Sequence, residues 1–199
     1  LVAKTKDGAV MLVKTDAAEV SLGPGEAQVQ VDARKATRLA VYRGRSSARA
    51  KRKTVEVPEG FGNKTELGQQ PGEPKPLPPA PAWVVAPPSE LAVTDPGAIA
   101  AKYGAGTGAG PAAASWHVQV ARDESFNDLV ADTRVPVAVT DLEAKGLTPA
   151  TYLVRVSAID ADGFEGPFGA VATTKVTLAP PPPPPPPKPV APPPPAPPP

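Results

Sequence analysis

Cysteine is absent from the 199 residues, which excludes disulfides, thiolate metal sites and a cysteine nucleophile. It leaves the compartment open, because envelope and cytosolic proteins can both lack it. Histidine occurs once, at His117, methionine once, and aromatic residues make up only 5% of the chain. So small an aromatic supply argues against a large aromatic-lined pocket. No apolar run approaches the roughly 18 residues of a membrane span; Ala9 to Val13 ends at Lys14. Across residues 1–68 apolar residues at helical spacing are absent too.

Proline is abundant instead. Of 31 prolines, 16 follow Ala179. That tail, residues 179–199, cannot build a core and is expected to be polyproline II, roughly 60 Å long if straight. A second proline-rich stretch, Gln69 to Pro88, holds eight prolines. Proline donates nothing to a sheet ladder and biases its predecessor toward extended backbone, so a stiff connector is expected over 69–82. It separates halves of opposite sign: residues 1–70 carry 13 Lys or Arg against 8 Asp or Glu, residues 89–179 carry 6 against 11. The chain opens at Leu1 inside an apolar run, not with a processing signal, so it is read as a fragment of a longer protein.

Within 83–178 the stretch Gly146 to Gly163 reads as a turn, a strand and a second turn. Tyr152, Val154, Val156 and Ala158 alternate with Leu153, Arg155, Ser157 and Ile159, the period of a strand with one face in a core. Asp162-Gly163 is a turn signal. Further strands are expected at Trp83–Ala86, Leu91–Thr94, Ile99–Tyr103, Trp116–Arg122, Leu129–Asp132, Pro136–Thr140 and Ala170–Thr177. A tyrosine three residues after the lead-in Leu147-Thr148-Pro149, with the segments Trp116 to Phe126 and Asp160 to Phe168, resembles bacterial fibronectin type III repeats. The resemblance implies a β-sandwich in which the Tyr152 hydroxyl returns to upstream backbone. Where such domains commonly carry a core tryptophan, this chain has Tyr103, and Trp116 on the next strand is expected to fill that volume.

Residues 1–68 read as short strands broken by glycine and proline. Ala9–Lys14, Glu19–Leu22, Ala27–Val31, Arg38–Tyr42 and Thr54–Val57 are the candidates, separated by Gly8, Gly23-Pro24-Gly25, Gly44 and Pro58-Glu59-Gly60. Ala27 to Ala33, Leu39 to Gly44, Val55 to Thr65 and the exit Pro74 to Pro81 together resemble the C-terminal part of a FecR-type domain. That resemblance implies a β-rich extracytoplasmic region of a bacterial envelope protein. Some such proteins relay signals from outer-membrane receptors to a sigma factor; others are fused to wall-binding and fibronectin-like modules. The expected fold class is therefore all-β, a FecR-like unit followed by a fibronectin type III-like sandwich.

Signals for chemistry are weak. His117 would need a nucleophile and a buried carboxylate beside it to serve in a triad, and is read as a half-exposed strand residue. No Gly-x-Ser-x-Gly elbow occurs. Asp160-x-Asp162-Gly163 with Glu165 echoes a calcium loop, but the remaining ligand positions are missing, and a turn is the simpler reading. Gly104 to Gly110 fits neither phosphate-binding glycine pattern and is read as a flexible connection. No catalytic, metal or cofactor-binding residue is assigned, and no enzyme is expected.

The candidate binding surface is the basic run from Arg34 to Lys53, above all Arg43, Arg45, Arg49, Lys51, Arg52 and Lys53. Its alternative is a solvated basic strand guarding a sheet edge. Such charge density raises the local potential toward anionic polymers. Tyr42 is the one aromatic among these cations, which argues against stacked nucleic-acid bases. The sequence points to a periplasmic or envelope-associated binding or scaffolding module that meets peptidoglycan, lipopolysaccharide or an envelope protein. A FecR-type signal-relay regulator is the alternative.

Overall fold

A computed structural model of the chain describes residues 2–6, 9–93 and 97–179. The expected polyproline tail from Pro180 onward, the turn at Gly8 and the strand end at Thr94 lie outside the described residues. Among those described there are strands and turns but no helix, so the all-β class holds.

The first unit is built on one long hairpin, β3 (Glu19–Val31) and β4 (Thr37–Ala50). Asp32 closes it: its carboxylate accepts the N–H groups of Arg34 and Ala36 at 2.9 and 3.0 Å, and Lys35 turns through a left-handed φ of 64°. Gly23-Pro24-Gly25 and Gly44 were expected to end strands. Instead both strands run through them, with a register shift between Leu22 and Gly25. The backbones approach so closely that a Cβ on Gly44 would lie 2.0 Å from the Pro24 carbonyl oxygen, and one on Gly25 2.1 Å from that of Arg43. The glycines are thus a bend within a hairpin, and residues from both sides of it, including Val20, Leu22, Val29, Leu39 and Val41, meet in one core. Each fully buried side chain of this kind contributes roughly 1.5–3 kcal/mol.

On the flank of β3 lie β1 (Val2–Thr5) and β2 (Met11–Lys14); on the flank of β4 lie β5 (Lys53–Pro58) and β6 (Phe61–Thr65), with β7 (Lys75–Pro76) beyond β6. β6 carries no apolar alternation in the sequence, because its buried side chains, Asn63 and Thr65, are polar. They are paired: Thr65 Oγ1 donates to Asn63 Oδ1 at 3.3 Å, and the Asn63 amide reaches the Gly72 carbonyl.

The second unit is a sandwich. β8 (Ala82–Val85), β10 (Gly97–Gly104) and β13 (Asp141–Leu147) form a three-stranded sheet in the order β13-β10-β8. β9 (Glu90–Val93), β11 (Ser115–Ala121), β12 (Leu129–Pro136), β14 (Ala150–Ile159) and β15 (Ala172–Leu178) form a five-stranded sheet in the order β12-β11-β14-β15-β9. This is a fibronectin type III-like arrangement. Its Tyr152 is fully buried and donates to the Thr148 carbonyl at 2.9 Å, the corner expected from the sequence.

The strand expected at Pro136–Thr140 is instead a turn, and the strand follows at Asp141–Leu147. Two core aromatics hold that turn: Trp116 Nε1 donates to the Val137 carbonyl and the Tyr103 hydroxyl to the Val139 carbonyl, each at 3.0 Å. The same two rings meet edge to face at 5.6 Å, so Trp116 packs beside Tyr103 as expected. Val137 and Val139 face solvent, so their apolar character marks no buried strand here.

Candidate functional site

Six cations were singled out, and the structure divides them. β4 pairs with β3 on one side and with β5 and β6 on the other, so it is a central strand and guards no edge. Arg43 lies before the Gly44 bend. Arg45, beyond it, faces Glu56 at 3.6 Å with both side chains about seven-tenths exposed, a pair worth little. Arg49, Lys51, Arg52 and Lys53 gather at the β4–β5 hairpin end, exposed and without an ion pair to any described residue. Roughly 25 Å of strand separates Arg43 from that end. Of the other basic residues, Lys35 pairs with Asp16 and Arg38 with Asp32, each at 3.0 Å.

The hairpin end is strained. Ala50 pairs with Lys53, leaving a two-residue loop, and Lys51 and Arg52 both take left-handed φ angles, 47° and 66°. Such loops favour Asn-Gly, whose backbones tolerate those angles. Two long cationic side chains there are held against local preference.

The proline-rich connector does not stand free. Leu77 is buried with Ala40 of the first unit and Phe164 of the sandwich. The next residues lie on glycines: a Cβ on Gly106 would fall 1.7 Å from the Ala80 carbonyl oxygen, and one on Gly166 2.1 Å from that of Pro78. The glycine-rich stretch read as a flexible connection therefore has a packing reason at Gly106.

Beside Leu77 is the junction that sequence reasoning missed. The Glu165 side chain is 1% exposed and serves both units. Its Oε1 accepts from Ser157 Oγ and from His117 Nδ1, both at 2.6 Å; its Oε2 accepts from Gln28 and Gln30 of β3, both at 3.3 Å. The Tyr42 hydroxyl lies 2.9 Å from Gln28 Oε1 and 3.2 Å from the Glu165 carbonyl. Arg38 Nε donates to the Asp162 carbonyl at 2.9 Å, and Lys75 reaches the Asp162 carboxylate at 2.6 Å.

His117 is therefore not a half-exposed strand residue: its side chain is 11% exposed and lies between Glu165 and, through Nε2 at 2.5 Å, Asp132. Burial by itself would lower its pKa; the hydrogen bonds and charges of Glu165 and Asp132 outweigh that and raise it above the ordinary 6.5. Burial would likewise raise Glu165, but hydrogen bonds from His117 and Ser157 and the His117 charge hold it below the ordinary 4.5. Ionised carboxylates only accept, so the arrangement suits an imidazolium that donates at both nitrogens. Ser157 donates to Glu165, not to the His117 ring, so the two do not form the nucleophile–base pair of a triad. The carboxylates of the calcium-like run are engaged apart: Asp160 accepts the Phe164 N–H at 2.8 Å, Asp162 faces Lys75, and Glu165 faces His117. Spacing in sequence revealed none of this, because the partners of Glu165 lie 8 to 137 residues away.

No family model matches the chain, and no curated protein matches it. Solved structures do. The FN1–FN3 domains of chicken CNTN1 share 12% identity at a TM-score of 0.33, over 87% of this chain and 66% of that one. The extracellular domain of the one component system BT4673 from B. thetaiotaomicron shares 7% at 0.31, over 89% and 31%. Among the described residues no helix is long and apolar enough to cross a membrane.

Proposed function

We propose that the chain is a non-enzymatic, extracytoplasmic binding and scaffolding module of the bacterial cell envelope, FecR-like in its first unit and fibronectin-like in its second. The observation that carries this reading is the division of labour between the two kinds of polar cluster. The buried groups around Glu165 satisfy one another and join the units, while the cations at the hairpin end have no such partners among the described residues and face solvent. A buried network closed on itself rigidifies; an exposed charged tip attracts.

The partner that fits the tip is an anionic envelope polymer, peptidoglycan or lipopolysaccharide. Arg49, Lys51, Arg52 and Lys53 are the contact group, with Arg45 along the strand behind it. Binding through phosphates or carboxylates must weaken as salt rises, because fixed cations replace condensed counterions. The test is retention of the chain on purified cell wall and on lipopolysaccharide at low and physiological salt. Retention that falls with salt and is lost when the four tip cations become Ser supports the reading. Equal retention of that variant refutes it.

A further inference from the structure

The two units separate at one side into a cleft of 700 Å³ whose walls include Lys4, Glu26, Tyr42 and Arg43 from the first unit and Phe126 and Arg155 from the sandwich. A clean arginine device faces it. The Arg155 guanidinium lies between two rings, 3.7 Å from the centroid of Phe126 and 3.9 Å from that of Phe168. Its Nε and Nη2 both donate to Gln119 Oε1, at 2.8 and 2.7 Å. Both faces and one edge of the planar group are thus held, which leaves the Nη1 edge without a hydrogen bond to any described residue. Such a fixed fork matches a carboxylate, and little freedom remains to be lost on binding.

A second observation points the same way. Phe126, a bulky residue, adopts a left-handed φ of 54°. Its loop is forced there by Asp123, whose carboxylate accepts the N–H groups of Ser125, Asn127 and Asp128 at 2.7 to 3.2 Å. The strain places the ring over the guanidinium, and strain of this kind collects at binding sites.

Charge in the cleft is unbalanced. Glu26 meets Lys4 at 3.7 Å, whereas neither Arg43 nor Arg155 has an ion-pair partner within 4 Å among the described residues. The two guanidiniums belong to different units, one to β4 and one to β14, and the carboxylates nearest Arg155, those of Glu165, Glu26 and Asp132, act on it without forming a direct ion pair. A second trough of 910 Å³, lined by Lys4, Lys6 and Arg43, adjoins the cleft through shared residues. Lys4 and Arg43 thus border both openings.

We propose that this cleft binds an extended acidic peptide, one carboxylate on Arg155 and another on Arg43, so that the ligand bridges the two units. A peptide is favoured because the Ser125 hydroxyl and the Asn127 amide at the rim make no side-chain hydrogen bond with described residues, and an amide offers a donor and an acceptor in one plane. The site is separate from the hairpin end and stands whether or not that surface binds a polymer.

Calorimetric titration of the whole chain with tetraglutamate tests it, with tetraglutamine and tetragalacturonate as comparison probes. The expected result is binding of tetraglutamate but not tetraglutamine, weakened about tenfold or more by Arg155→Gln and by Arg43→Gln. Arg43 is exposed, so its replacement leaves the fold intact and keeps the test decisive if Arg155→Gln is poorly folded. Substituting Arg52 to Ser at the hairpin end leaves this affinity unchanged. Absence of tetraglutamate binding, binding unaltered by Arg43→Gln, or loss only on Arg52→Ser overturns the proposal; tighter binding of tetragalacturonate overturns the peptide as ligand.

Discussion

Glu165 Oε1 lies 2.6 Å from His117 Nδ1, while the other oxygen of the same carboxylate accepts amide hydrogens from Gln28 and Gln30 at 3.3 Å. One buried side chain therefore holds a sandwich strand and a strand of the preceding sheet at once. Arg134 adds a looser contact to Oε2 at 3.8 Å.

This junction makes stability depend on pH in both directions. The raised pKa of His117 means that its contribution is complete below 6.5, its ordinary value, and is lost as pH rises through the raised value. The lowered pKa of Glu165 means that its contribution is complete above 4.5 and is lost as pH falls through the lowered value. Because the groups are coupled they titrate as a pair, with greatest stability between those two ordinary values. Urea unfolding followed across this range should show a maximum there, and His117→Gln should flatten the alkaline limb. Glu165→Gln should cost about 3–5 kcal/mol, as expected when one partner of a buried ion pair is removed.

Leu77 is the apolar counterpart of that junction, 4% exposed between Ala40 and Phe164. Leu77→Ala should cost about 2–4 kcal/mol through the cavity it leaves. Gly62→Val is a sharper probe, since a Cβ there would fall 2.6 Å from Phe164 Cδ1 and push the ring out of the interface. Both variants should become sensitive to proteolysis in residues 69–82 while the wild type resists, as read by limited digestion.

Tyr152→Phe removes the hydroxyl that donates to Thr148 at 2.9 Å. A loss of about 1 kcal/mol is expected, the net contribution of one intramolecular hydrogen bond made by a buried hydroxyl. A denaturant titration measures it, with the slope unchanged if the native and unfolded states keep their surface areas.

Lys51 and Arg52 offer a test of stability against function. Replacing them by Asn and Gly suits their left-handed angles and should stabilise the chain by about 1 kcal/mol or more. If the hairpin end is the polymer-binding surface, the same variant loses retention on cell wall or lipopolysaccharide while its melting temperature rises. A rise in stability with retention unchanged would place binding elsewhere.

Local pattern was enough for much of the architecture. Alternation over Tyr152–Ile159 marked a strand with one buried face, the tyrosine four residues past Thr148 marked a corner, and the lack of helical spacing marked the class; each depends on neighbours in the chain. Errors arose where local cues were ambiguous. Gly23, Gly25 and Gly44 look like strand ends, but they are glycines because two strands of one hairpin touch there. Val137 and Val139 look like a strand, but their carbonyls cap aromatic donors and their side chains face water.

The polar sites belong to the three-dimensional arrangement alone. Nothing near His117 in sequence announces Glu165, and nothing near Gln28 announces either. A run of cations likewise looks continuous along the chain, yet the Gly44 bend and the contacts of Arg38 and Lys35 divide it into an interface, a cleft wall and a tip. Strand patterning is governed by where each side chain points relative to its own backbone, which the amino-acid order carries. Charge pairing and burial depend on which distant surfaces meet, and that is settled only when the hairpin bends and the proline-rich segment docks.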